Sequence, residues 1–170
     1  MKKLLLSFFL LSGSLFFVSC GDDEEEEQLQ PPLGLSGTVS YDGGSFSVVD
    51  GRLSDVQVSN NIASRTFYLT DGTFTVSGSN VSASGSQIVI VLTAAATGAT
   101  SIEAGVYDSN SDINGRQVDI EVTTSSGKQE AFTEGTVDIS GSGNTYTLIF
   151  DVPFRGTRLT GSVSGTYESL

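Results

Sequence analysis

The sequence predicts an all-β, antiparallel domain of about nine or ten short strands over residues 35–170. Three observations lead there. Apolar residues recur at every second position, turn-forming residues punctuate those runs, and no helical period survives beyond the first 19 residues. Serine, threonine and glycine fill the intervening positions, and β-branched residues favour the extended backbone. The roughly 135 residues of this domain suffice for a two-layer core without a disulfide.

Before the domain come two segments of different character. Met1, Lys2 and Lys3 form a basic start, and residues 4–18, LLLSFFLLSGSLFFV, are apolar apart from three serines and a glycine. With the small pair Ser19 and Cys20 behind it, this run has the n-region, h-region and cleavage site of a signal peptide over residues 1–19. A membrane-spanning helix needs about 20 apolar residues, and this run is shorter and then meets acid. Residues 21–34, GDDEEEEQLQPPLG, join six consecutive carboxylates to a Pro-Pro pair. Like charges extend such a segment and the prolines stiffen its far end, so residues 20–34 are expected to form a tether.

From Leu35 onward alternate side chains fall on opposite faces. Leu35, Gly37, Val39 and Tyr41 share one face, and Ser36, Thr38 and Ser40 the other. The same alternation sets Val118, Ile120 and Val122 against Gln117, Asp119, Glu121 and Thr123, and Tyr146, Leu148 and Phe150 against Thr145, Thr147 and Ile149. In QIVIVLTA, residues 87–94, both faces are apolar, as in a central strand covered on each side. The last strand points Leu159, Gly161, Val163, Gly165 and Tyr167 inward. Its two glycines leave room for cross-strand aromatics or mark bulges. Turns are expected at YDGGS (41–45), at the DG pairs beginning at 50 and 71, at NG (114), SSG (125), SGSGN (140) and RG (155).

Two resemblances extend this reading. FVSC, residues 17–20, resembles the lipobox of bacterial lipoproteins, with Phe17 where the common pattern has leucine. It implies that Cys20 receives diacylglycerol on its sulfur and becomes the mature N-terminus, with acyl chains such as palmitate supplying the more than one chain that stable attachment needs. The acidic run one residue past Cys20 resembles the export signal that sends Bacteroidota lipoproteins to the cell surface. EGTVDISGSGNTYTLIFDVPFRGTRLTGSVSGTYE and LSGTVSYDGGSFSVVDGRLSDV resemble the domains of small surface lipoproteins of Bacteroidota type. The matching positions are Gly135, Thr136 and Val137, then Tyr146, Phe150 and Asp151, then Leu159, Thr160, Gly161, Gly165 and Tyr167. This resemblance implies a lipid-anchored β-sandwich or lipocalin-like up-and-down barrel in the outer membrane, and it brings no catalytic residues with it.

Composition removes several functions. From Cys20 onward the chain has 20 acids and 6 bases, and without the six acids of the tether its body still carries a net charge of −8. Such a surface is repelled by phosphates and anionic head groups, so no nucleic-acid partner is expected and the membrane is met through the N-terminal lipid alone. The absence of histidine eliminates Ser-His-Asp triads, imidazole metal sites and the usual general base. Lys128, the one lysine after Lys3, lies beside SSG and is expected to be a solvated turn lysine rather than the base of a Ser-Lys dyad.

Three constellations remain. Asp119 and Glu121 stand two apart on one strand face, a spacing of about 7 Å compatible with a glycosidase pair, although that face is the polar one. NSDINGRQVDIE, residues 110–121, sets Asn110, Asp112, Asn114, Gly115 and Glu121 on the spacing of a twelve-residue calcium loop. Its first ligand is Asn instead of Asp, Gln117 replaces the usual apolar residue, and strands flank it instead of helices. A hairpin tip turned by Asn114-Gly115 is therefore preferred, and any calcium bound there is expected to be weak, on the order of 0.1 to 1 mM. Tyr68, on the face opposite Phe67 and Leu69, is a lone outward aromatic of the kind that stacks on sugars. The expectation is a non-catalytic, lipid-anchored surface protein that binds a protein or glycan partner or serves the outer membrane structurally. A lipocalin-like carrier of a small apolar ligand and a carboxylate-dependent glycan hydrolase are the alternatives.

Overall fold

A computed structural model describes residues 34–78, 80–110, 114–154 and 156–170, with Phe154 described by its backbone alone. Cys20, the expected signal peptide and the expected tether up to residue 33 lie outside the described residues. The described chain is all-β. In order it forms β1 (Leu35–Tyr41), β2 (Gly44–Val48), β3 (Asp50–Leu53), β4 (Gln57–Ser59) and β5 (Ile62–Thr70). There follow β6 (Thr73–Ser77), β7 (Asn80–Ser84), β8 (Ile88–Thr97), β9 (Gly105–Asp108) and β10 (Arg116–Thr124). The last five are β11 (Gln129–Phe132), β12 (Thr136–Ser142), β13 (Thr145–Phe154), β14 (Thr157–Thr166) and β15 (Glu168–Ser169).

Thirteen strands make one sheet in the order β15-β3-β5-β8-β10-β9-β12-β13-β14-β1-β2, with β4 on β5 and β11 on β10. β6 and β7 form a separate hairpin. Pairing is antiparallel except between β15 and β3 and between β9 and β10. The sheet curls into a half-barrel, and Val49 alone separates β2, at one edge, from β3, which lies next to the short strand β15 at the other.

The fifteen described strands exceed the expected nine or ten. Strands such as β4, β11 and β15 have four residues or fewer, too short to show a period, and β2–β3 and β14–β15 read as continuous runs broken by one residue. The turns at 42–43 and 114–115 carry positive φ as expected, whereas Asp50-Gly51 lies inside β3 and the β4–β5 hairpin turns on Asn60-Asn61, at φ +52° and +62°. Two consecutive left-handed residues are what a two-residue hairpin loop demands, and asparagine tolerates them.

Every inward face expected from alternation is buried. Val39, Phe67, Leu92, Val118, Leu148 and Val163 are fully inaccessible and belong to one continuous core. β8 buries one face completely and the other in part, because the β6–β7 hairpin folds over its outer side.

Candidate functional site

The outer face of β5, β8 and β10 carries the candidate site. Hairpin β6–β7 pairs Phe74 with Ala83 and Val76 with Val81, which makes one of its faces apolar. Phe74 packs against Tyr68 of β5 edge to face, with centroids 6.3 Å apart and planes at 80°. Asp71 holds the base of the hairpin, its Oδ1 accepting hydrogen bonds from the backbone N–H of Gln87 (2.8 Å) and Ile88 (3.0 Å). The Phe74 N–H donates to Asp50 Oδ2 at 2.7 Å, and buried Thr70 accepts from the Gly72 N–H while donating to the Ile88 carbonyl. Gly72 is needed where the two legs meet, because a Cβ there would stand 2.4 Å from the Ser84 carbonyl oxygen.

Between hairpin and sheet lies a groove of about 340 Å³, floored by Tyr68, Val89 and Val91 and rimmed by Ser86, Thr123, Thr124 and Ser125. A second groove of about 330 Å³ continues on the other side of Val91, past Thr93, Asp119 and Glu121 to Ala131, Phe132 and Thr133. Strand register aligns them. Tyr68, Val91, Glu121 and Ala131 form one cross-strand row over β5, β8, β10 and β11, and Thr66, Thr93 and Asp119 form the next. The Thr66 and Thr93 hydroxyls lie 3.0 Å apart. Two inter-strand spacings put the Tyr68 and Glu121 backbones about 10 Å from each other.

Asp119 and Glu121 thus share the polar face of β10, as alternation required, with Asp119 exposed and Glu121 accepting a hydrogen bond from Gln129 Nε2. Of the expected calcium ligands, Asn114 and Glu121 are not brought together. Asp112 lies outside the described residues, while Asn114, at φ +53°, sits in the turn before β10, and Glu121 is carried along that extended strand to roughly 20 Å away. Among the described residues no group of three or more carboxylate, cysteine or histidine side chains is arranged to hold a metal.

Lys128 lies in the expected turn with its side chain part-exposed, and it is also ion-paired. Its Nζ pairs with Asp42 at 2.8 Å and Glu130 at 3.1 Å and lies 5.4 Å from the Tyr41 ring centroid. Hydrogen bonding to Asp42, then to Glu130, raises its pKa. Tyr41 donates to Glu130 Oε2 at 2.5 Å, and that bond, followed by Lys128, holds the Glu130 carboxyl below its ordinary value. Burial first, and then Glu130, push the Tyr41 hydroxyl up to about 12.

Phe74, Val89 and Val91 were not marked as site residues by the sequence. The signal that bears on them is the two-sided apolarity of residues 87–94, which requires a cover for the outer face of β8. No protein-family model matches the chain, and neither a curated protein nor a solved structure matches it significantly.

Proposed function

We propose that the protein is a non-catalytic, lipid-anchored surface protein of the outer membrane whose β domain holds a ligand in the groove beneath the β6–β7 hairpin. The carrying observation is that groove, enclosed between the apolar face of the hairpin and the outer face of β5 and β8. Its rim residue Ser125 opens the β10–β11 turn, and Lys128 of the same turn pairs with Asp42, just beyond β1. Gly34 lies at the opposite end of β1, about 20 Å from Asp42, and lines a cavity with Asp50, whose carboxylate holds the Phe74 N–H of the hairpin.

The missing catalytic groups support the non-catalytic part. Lys128 is engaged by two carboxylates, and Asp119 stands on an open face without the apolar enclosure that a general acid requires. A carboxylate hydrolase would lose turnover of a bound glycan in Asp119→Asn and Glu121→Gln.

The covalent joining of β2 to β3 favours a lipocalin-like barrel over a two-sheet sandwich as the description of the curled sheet. An interior carrier is less well supported than an outer-face binder, because Tyr41, Tyr107, Tyr167 and Phe67, each at most 2 % exposed, occupy the inner space.

Metabolic labelling with an alkynyl palmitate and protease shaving of intact cells test the reading. Labelling of the parent, loss of label in Cys20→Ser and removal of the domain by external protease are expected. Label retained in Cys20→Ser, or a domain protected in intact cells but cleaved after lysis, overturns it.

A further inference from the structure

We propose that the outer-face groove takes an uncharged oligosaccharide, laid across β5, β8 and β10 along the row Tyr68, Val91 and Glu121. The proposal rests on the binding function assigned to that groove and names its ligand class.

The row offers two chemistries side by side. At one end half-buried Tyr68, backed edge-on by Phe74, presents an aromatic surface on which the C–H face of a sugar ring packs. About 10 Å away, two strands over, Glu121 and Asp119 supply carboxylate acceptors for sugar hydroxyls. Thr93, Thr123, Thr124 and Ser125 add hydroxyls that both donate and accept. A sugar chain is amphiphilic in the same sense, apolar on its ring faces and hydroxylated around its edges.

Other ligand classes fit less well. Among the described residues no arginine or lysine lines either groove, and a body of net charge −8 repels anions, which argues against a phosphorylated or uronic ligand. An extended peptide adds to a free sheet edge, but β8 is paired on both sides by β5 and β10, so its backbone groups are already satisfied. A wholly apolar ligand would strip water from the exposed Asp119 carboxylate and give nothing in exchange.

The full chain, purified in detergent, is titrated calorimetrically with cellohexaose, maltohexaose, laminarihexaose, xylohexaose and mannohexaose, and with hexagalacturonate as the anionic control. Saturable binding of at least one neutral hexasaccharide, and none of hexagalacturonate, is expected. Tyr68→Ala weakens that binding about tenfold or more, Tyr68→Phe restores most of it, and Asp119→Asn or Glu121→Gln weakens it about three- to tenfold. Thermal melts of the variants equal to the parent show that the loss is not unfolding. Absence of binding across the neutral panel, stronger binding of hexagalacturonate, or full affinity in Tyr68→Ala overturns the proposal. Failure here leaves labelling of Cys20 and surface exposure untouched, and those measurements fail independently of it. Binding accompanied by cleavage supports the ligand class while removing the non-catalytic assignment.

Discussion

Gly161 and Gly165 occupy β14 with φ of +136° and +138°, a region that residues with a Cβ rarely enter. A Cβ on Gly161 would lie 2.2 Å from the Thr38 carbonyl oxygen, and one on Gly165 the same distance from that of Gly34. Across the β13 pairing these glycines face Phe150 and Tyr146, while the atoms a Cβ would meet belong to the backbone of β1 and of Gly34 just before it, so the glycines serve the close approach of that strand. The register runs unbroken through both, which excludes an inserted bulge residue there. Gly161→Ala is expected to cost about 2 to 4 kcal/mol in urea unfolding followed by circular dichroism. Ser162→Ala, on the exposed face one residue later, is expected to change it by less than about 0.5 kcal/mol. Arg65 is the residue for which alternation gives the right face and no reason. It shares the inward face of Phe67 and Leu69, where its guanidinium donates to the carbonyls of Ser54 and Gly143, to Asn144 Oδ1 and to the Tyr146 hydroxyl. Those acceptors come from segments up to 81 residues away, so no local pattern announces them.

At the scale of elements, β6–β7 converts an ordinary sheet face into a groove. Two carboxylates beneath it carry the work, Asp71 at its base and Asp50 on the Phe74 N–H. Asp71→Ala removes two charge-assisted hydrogen bonds at a partly exposed site, with an expected loss of about 1 to 2 kcal/mol. Hydrogen exchange is the sharper measurement. Amides of residues 73–84 are expected to exchange faster in Asp71→Ala while those of β8 and β13 keep their protection, as for local opening of one element. Equal acceleration throughout the sheet would mean that the hairpin is part of the global folding unit. Of this hairpin only the opening turn at Asp71-Gly72 was legible in the sequence. Its docking on β8 was not, because an apolar strand face shows that a cover is needed without saying which segment supplies it.

For the whole molecule, Tyr41, Asp42, Lys128 and Glu130 tie the end of β1 to β11, segments 86 residues apart between Asp42 and Lys128. This cluster contributes to the pH dependence of stability on both the acid and the alkaline side. Glu130 has a lowered folded pKa, so its contribution is complete above the usual carboxylate range and is lost as the pH falls through the folded value. Tyr41 and Lys128 have raised pKa values, so theirs are complete below the ordinary values and are lost as the pH rises, for Tyr41 between about 10 and 12. Tyr107 and Tyr167, both raised by burial, lose stability on the same alkaline side. Denaturant unfolding at stepped pH is expected to show a shallower alkaline decline in Tyr41→Phe and a shallower acid decline in Glu130→Gln than in the parent.

The sequence by itself determined the all-β class, the inward and outward face of each long strand, most of the turns, and the absence of imidazole chemistry. All of these depend on neighbouring residues: alternation is a property of one extended strand, and a hairpin turn of two or three positions. Only the tertiary structure decided that Tyr68 and Glu121 share one row, that β6–β7 covers β8, and that Lys128 is bound between two acids. Each of those depends on which strands lie side by side and in what register, a choice made by burial and pairing over the whole sheet and written in no single segment.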